Sequence, residues 1–251
     1  MELRNFSASY GGDTEAVRDI SFTIGDGETA AVLGANGAGK TSLFLAMVGI
    51  VPLTKGSITV DTVKLAPDSE IPGGRRKAAA IREELRRRVG LVFQNPDDQL
   101  FMPRVWDDLA FGPRNMGLDE AEVCRRVDAA LDALGIAPLR VRSPLRLSGG
   151  EKRLAAIAAV LTMGPSVMLL DEPTAFLDPR SRRSLMTLLR GLPHTKLIAT
   201  HDIPFAAELC SRVILLKDGA LRAQGPAAEL LRDPELMEDC GLADSLRSWP
   251  P

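Results

Sequence analysis

The sequence predicts an α/β fold: a parallel-sheet core with an antiparallel, β-rich N-terminal part and a helical subdomain inserted at about residues 95–162. Three observations carry this. The chain opens with short apolar runs bounded by glycine turns. A buried run at Thr29–Leu33 then leads through a glycine-rich loop into a helix. A helical block separates that unit from three further strand-like runs.

The elements follow in order. Leu3–Tyr10 and Ile20–Ile24 read as short strands, with turns at Gly11-Gly12 and Gly25-Asp26-Gly27. After the buried strand and the loop, a helix runs from about Thr41 to Val48, and Gly56–Val60 reads as another strand. The basic run Arg75, Arg76, Lys77, Arg82, Arg86, Arg87 and Arg88 reads as a solvated helix face tempered by Glu83 and Glu84. Contact with lipid headgroups or a membrane partner is the other reading. Val89–Phe93 is a strand. Asp119 caps a helix with Glu122 as the return half of a capping box; Val123, Val127, Leu131 and Leu134 keep helical spacing and Gly135 ends it. Ser148 and Glu151 form a second box, opening a helix through Leu154, Ile157, Ala158 and Leu161 to Met163. Strands return at Val167–Leu170, Leu197–Thr200 and Val213–Leu216.

Composition narrows the function classes. At 251 residues, 45% hydrophobic and 25% charged, the chain suits one large domain or a core with an insertion. A net charge of −2 lacks the footprint of a dedicated nucleic-acid binder. Cys124, Cys210 and Cys240 are too far apart for a metal site and read as reduced thiols. Met1–Tyr10 is too polar for a signal peptide. The longest apolar stretch, Leu154–Leu170, is broken by Gly164-Pro165, so no bilayer span is expected and any transport pore belongs to another chain.

Two motifs carry chemistry. Gly34-Ala35-Asn36-Gly37-Ala38-Gly39-Lys40-Thr41 fits G-x-x-x-x-G-K-[ST] between a predicted strand and a predicted helix. The glycines let backbone N–H groups face phosphate oxygens, the helix N-terminus adds partial positive charge, Lys40 adds a cation, and Thr41 offers Mg²⁺ a hydroxyl. Val167-Met168-Leu169-Leu170 delivers Asp171 to the sheet's carboxyl edge, where it can organise Mg²⁺, with Glu172 beside it as a general base for water. Such an acidic pair also reads as plain solvent-facing strand termination; beside the glycine-rich loop, the catalytic reading is preferred.

Leu147-Ser148-Gly149-Gly150-Glu151 adds a second helix N-terminus with free N–H groups and a hydroxyl. Here the chain resembles the ABC ATPase family, over about residues 2–225 with every motif in family order, leaving a tail of about residues 226–251. The resemblance implies a RecA-like P-loop NTPase fold and ATP as ligand. It puts Tyr10 on the adenine ring and Gly34–Thr41 around the phosphates. Gln94 becomes a glutamine that senses Mg²⁺ and the membrane partner, Asp178 part of the loop after the acidic pair, and His201 a switch residue at the γ-phosphate. It further implies a head-to-tail dimer in which Ser148, Gly149 and Gly150 cover ATP held by Lys40 of the other copy.

Asn95-Pro96-Asp97-Asp98-Gln99-Leu100-Phe101 and Val105–Pro113 look like the ATPases of energy-coupling-factor importers, above all those for cobalt and nickel. That implies integral membrane subunits, including a substrate-specific component, with this chain peripheral on the cytoplasmic face. Cobalt is the first expectation, with nickel or a shared vitamin-uptake module as alternatives. A soluble ABC ATPase of translation or repair is disfavoured, because the chain has neither a tandem domain nor a long coiled-coil insertion. His194, in a Leu-Pro-His turn, is expected to be a loop residue rather than a metal ligand.

Overall fold

The computed structural model describes residues 1–11 and 14–243; Gly12 of the predicted turn and the end of the tail lie outside the described residues. Strands β1 (Glu2–Ala8), β2 (Val17–Thr23), β4 (Leu53–Val60) and β5 (Val63–Leu65) pair antiparallel, as the β-rich start predicts. Strands β3 (Thr29–Leu33), β6 (Val89–Val92), β7 (Val167–Asp171), β8 (Thr195–Thr200) and β9 (Arg212–Lys217) run parallel. Strand β10 (Ala220–Pro226) folds back on β9 and touches β2 at Ala220 and Arg18. It joins both halves into one sheet in the order β5-β4-β1-β2-β10-β9-β3-β8-β7-β6.

Strands β7 and β8 are buried at every position, because a parallel sheet is covered on both faces. Alternation divides their side chains between two cores. Met168, Leu170, Ala31 and Leu33 face a core shared with helices α3 (Val105–Asn115), α4 (Glu120–Ala133), α5 (Gly149–Leu161), α6 (Pro179–Gly191) and α7 (Ile203–Leu209). Val167, Leu169, Ala30 and Val32 face the other, built with α1 (Lys40–Met47), α2 (Gly74–Arg88) and Phe6, Ile20 and Phe22 of the antiparallel strands. Two short helices, α8 (Ala227–Leu230) and α9 (Pro234–Asp239), close the described chain and bury Leu231, Met237, Cys240 and Leu242 in the first core. Among the described residues no helix is long and apolar enough to cross a membrane, and the three cysteines are free thiols.

Several expectations need correction. Strand β4 begins at Leu53, not Gly56: that glycine, at φ +73°, lies inside the strand, opposite a bulge in β1. A Cβ there would lie 2.2 Å from the carbonyls of Arg4 and Asn5. Strand β1 stops at Ala8, short of Tyr10. Asp119 does cap α4, accepting from the Glu122 N–H at 2.8 Å, but the return half is absent. The Glu122 carboxylate binds Arg125 at 2.7 Å and Arg126 at 2.6 Å instead, and these two guanidinium groups pull it down to about 2. Charge-assisted bonds to two cations outweigh one backbone N–H.

The basic run is helix α2, and its C-terminal half is consumed locally. Arg86 donates to the Val48 and Gly49 carbonyls at 2.9 and 3.0 Å, closing the end of α1, while Arg82, Arg87 and Arg88 pair with Asp68, Glu83, and Glu84 with Asp61. Its first residues, Arg75, Arg76 and Lys77, are exposed. Those three stay open to either reading, while the paired arginines have local structural roles.

Candidate active site

Strand register brings four loops to one edge. Leu33 pairs with Thr200, Asp171 with Ala199, and Val92 with Leu170, so the residues following β3, β8, β7 and β6 leave the sheet together at its carboxyl end. There they line a cleft of about 780 Å³ containing Asn36 to Ser42, Gln94, Asp171, Glu172 and His201.

The glycine-rich loop is shaped by contacts that admit no side chain. A Cβ on Gly34 would lie 2.5 Å from the Leu216 carbonyl. Gly39, the N-cap of α1 at φ +98°, already lies against the Ala16 carbonyl and Gly219. Helix α1 starts with no side-chain cap, so its first N–H groups face the cleft. Lys40 is buried. Its ammonium donates to the Gly34 carbonyl at 2.7 Å and the Ala35 carbonyl at 3.2 Å, and lies 3.7 Å from the Glu172 carboxylate. Burial lowers its pKa, against the pull of Glu172 and Asp171.

Asp171 and Glu172 are adjacent but differently held. The Thr41 hydroxyl donates to Asp171 Oδ2 at 2.7 Å, whereas Oδ1 is buried with no partner among the described residues. Burial raises this carboxyl, with the Thr41 bond working the other way. Glu172 sits at φ +43°, a left-handed conformation that costs a non-glycine residue of order 1–3 kcal/mol. Its N–H donates to the Ala199 carbonyl at 2.8 Å. Thr200 Oγ1 donates to Oε2 at 3.1 Å, and His201 Nδ1 lies 2.9 Å from Oε1. The end of β8 thus aims a strained carboxylate into the cleft.

Gln94 is positioned by a residue that sequence reading left without a role. Arg153, on α5 and almost wholly buried, donates to the Phe93 carbonyl at 2.8 Å and the Gln94 carbonyl at 2.6 Å. Burial pushes it down to about 10, where it remains a cation. Gln99 reinforces the link, accepting from the Phe93 N–H at 3.3 Å and donating to the Ala156 carbonyl at 2.8 Å. An arginine on the apolar side of a predicted helix was the available signal for Arg153. Gln99 offered none.

The remaining predicted residues lie elsewhere. Tyr10 is exposed beside the cleft, its hydroxyl 3.2 Å from Ser42 Oγ. Ser148 and Gly150 line a separate hollow of about 350 Å³ together with Ser181. The predicted capping box is present there: Ser148 Oγ accepts from the Glu151 N–H at 3.3 Å and Glu151 Oε2 from the Ser148 N–H at 2.8 Å. Gly149 opens that helix, and a Cβ on it would meet no atom within 4 Å. Asp178 caps α6, accepting from the N–H groups of Arg180 and Ser181 at 2.9 and 3.1 Å. His194 is a half-buried loop residue whose pKa is lowered by burial.

A glycine-rich loop closing on a helix at the carboxyl edge of a parallel sheet, with an acidic pair on a neighbouring strand, defines the P-loop ATPase fold. Residues 17–175 match the ABC transporter family. A Geobacter sulfurreducens protein bearing an ABC transporter ATP-binding name is 47% identical, over 96% of this chain and 92% of its own length. The energy-coupling factor transporter ATP-binding protein EcfA of Methanothermobacter thermautotrophicus is 41% identical over 96% and 76%. Among solved structures, CbiO1 of Clostridium perfringens, described as part of the ABC transporter complex CbiONQ, superposes with a TM-score of 0.79 at 37% identity, over 96% and 94%. A dimeric ATP-binding cassette, MJ0796, bound to ADP and Pi, gives 0.73 at 25% identity, over 90% and 98%. The chain belongs to the ABC transporter family and is an ATPase whose hydrolysis of ATP is coupled to transport.

Proposed function

We propose that this chain energises an energy-coupling-factor-type importer, most specifically one for cobalt, as a head-to-tail homodimer on the cytoplasmic face of the membrane. The observation that carries the dimer is the separation of the two helix N-termini. Lys40 lies in one cleft and Ser148 to Gly150 at another hollow, so one copy supplies half of each closed site. That the MJ0796 cassette is described as dimeric supports a dimer. Likeness to EcfA and to a member of the CbiONQ complex supports integral membrane partners, and cobalt follows from the resemblance carried by Asn95–Phe101 and Val105–Pro113. In this reading residues 1–225 form the nucleotide-binding unit, with residues 95–162 as an inserted helical subdomain and 226–251 as a tail.

Each residue then has a task. Gly34–Thr41 and Lys40 hold the triphosphate, and the exposed Tyr10 ring stacks on adenine. The donor set fits Mg²⁺: Asp171 keeps one buried carboxylate oxygen unpartnered next to the Thr41 hydroxyl. Among the described residues no cluster of three or more His, Cys, Asp or Glu competes for a metal. Asp171 and Thr41, with Gln94 in the same cleft, would hold the ion through a few oxygen ligands, the kind Mg²⁺ takes alongside substrate phosphates. When bound, it would neutralise phosphate charge. Glu172 accepts a proton from the attacking water, and His201 and Thr200 hold its carboxylate in line. Ser148, Gly149, Gly150 and Asp178 of the second copy complete the site.

Gentle detergent capture of the tagged chain from its native membranes tests the assignment, with cobalt uptake measured in a strain lacking it. Recovery of integral membrane subunits with no second ATPase, and loss of uptake, is the expected result. A different co-purifying ATPase would replace the homodimer with a vitamin-type module, and unchanged cobalt uptake would remove cobalt.

A further inference from the structure

One peptide group of the phosphate-binding loop is held from both ends. The carbonyl of Gly34 accepts the Lys40 ammonium at 2.7 Å, and the N–H of the same peptide unit, that of Ala35, donates to the Cys240 carbonyl at 3.3 Å. Because the peptide is planar, fixing its N–H fixes the direction of its carbonyl. Successive hydrogen bonds through one amide also polarise each other. The ammonium of Lys40 is therefore connected, through a single rigid unit, to the segment that follows α9.

That segment is built to hold its place. Asp233 caps α9 by accepting from the Leu236 N–H at 3.0 Å. At the other end Gly241, at φ +68°, turns the chain so that the Gly241 and Leu242 N–H groups bond back to the Glu238 and Met237 carbonyls. Met237 and Leu242 are buried, and Asp239 accepts from Lys217 of β9 and Arg222 of β10, both at 2.6 Å. Contact with the loop is close: a Cβ on Gly241 would lie 3.0 Å from the Ala35 methyl. On the opposite side the loop rests against the end of β9, where Gly34 fits only because it has no side chain beside the Leu216 carbonyl. The Gly34–Ala35 peptide is thus clasped between β9 and the segment tied to β9 and β10 through Asp239.

We propose that the segment Pro234–Leu242 is a brace that positions Lys40, and that Asp239 and Gly241 set the affinity for the nucleotide's phosphates without touching them. The proposal rests on Lys40 being a phosphate ligand. Loosening the brace lets the Gly34–Ala35 peptide rotate, spreads the ammonium over several positions, and weakens phosphate binding. The groups that perform hydrolysis, Glu172 and His201, hang from β7 and β8 and are left in place.

Full-length Asp239→Asn, Asp239→Glu, Gly241→Val and Lys40→Ala test this, by equilibrium titration with a fluorescent ATP analogue and by steady-state ATPase kinetics. Asp239→Asn and Gly241→Val should weaken nucleotide binding and raise KM for ATP by about 3- to 10-fold, with kcat within about twofold of the parent chain. Asp239→Glu, which keeps the charge for Lys217 and Arg222, should restore most of the affinity. A merely structural role would lower kcat through loss of folded protein and leave KM unchanged, and that pattern overturns the brace. So does unaltered affinity in both variants while Lys40→Ala weakens binding. If Lys40→Ala itself binds nucleotide normally, the reading of Lys40 fails and the brace falls with it.

Discussion

Two helix N-termini of this molecule solve the same problem in opposite ways. Each has backbone N–H groups with no partner inside the helix. Helix α5 satisfies two of these positions with its own side chains, through the reciprocal Ser148–Glu151 box. Helix α1 has no side-chain cap and no acidic residue in its first turn; a glycine at φ +98° turns its N–H groups toward the cleft instead. One end is finished within the chain. The other leaves its donors to a ligand, beside a buried lysine and two carboxylates, where burial works against the charges of Lys40 and Asp171. In the proposed reading an anion at α1 meets the open donors of one copy first, whereas α5 offers a second copy only what the box leaves over.

The largest expected effects separate these two ends chemically. Glu172→Gln removes the proposed base but not the binding site, so ATP turnover should fall by about 10²–10⁴. ATP-dependent dimers should then persist in size-exclusion chromatography. Normal turnover in that variant would remove Glu172 from catalysis. The dimer itself is tested by mixing. Lys40→Ala and Gly149→Asp should each be inactive alone, the second because a carboxylate faces phosphate from a position with no steric conflict in the chain. Mixed, they form hybrids with one intact site, restoring about a quarter of parental activity by random pairing. If the mixture stays inactive, Lys40 and Gly149 do not meet across an interface.

Much of this contrast is legible in the sequence, for a physical reason. The α1 loop needs glycines where Leu216, Ala16 and Gly219 crowd the backbone, and the α5 box needs a serine three residues before a glutamate; both are local constraints written in fixed spacing. The buried strands are equally readable as apolar runs. Contacts closed by tertiary structure are not. Arg153 binding the Gln94 carbonyl spans 59 positions, and Gln99 reaching Ala156 spans 57. Strand β10 carries alternating half-buried and exposed residues with no apolar signature, and Gly56 reads as a strand start until β1 is seen to bulge around it. Glu122 shows the converse error, a correct spacing overruled by two arginines on the same helix.

A third effect is smaller and opposite in sign for activity and stability. Asp171 is raised above its unfolded pKa, so the folded state binds that proton more tightly. Its contribution therefore worsens as pH climbs through the interval between the two values, and stays unfavourable above it. Asp171→Asn keeps an acceptor for the Thr41 hydroxyl and removes the buried charge. ATPase activity should be lost, while Tm without nucleotide should rise, by roughly 2–4 °C per kcal/mol of relieved cost. The gain should be larger at neutral pH than in the range where carboxylates protonate. A lower Tm at neutral pH would mean that Lys40 and Arg153 gain more from the charge than burial costs it.

The smallest effects compare the box that forms with the one that does not. Glu151→Ala deletes half of a working box at α5 and should cost about 1 kcal/mol. Glu122→Ala, at α4, leaves the Asp119 cap intact and removes an ion pair with the exposed Arg125 and a half-buried one with Arg126, contacts near the surface that contribute little. Both carboxylates are depressed, Glu151 first by the Ser148 backbone N–H and Glu122 by its arginines, so both contributions are present at neutral pH and lost as pH falls. Urea denaturation at neutral pH should therefore rank Glu151→Ala well below Glu122→Ala in stability. Equal losses would mean that the α5 cap adds nothing beyond its charge, and that its serine is held free for the partner copy.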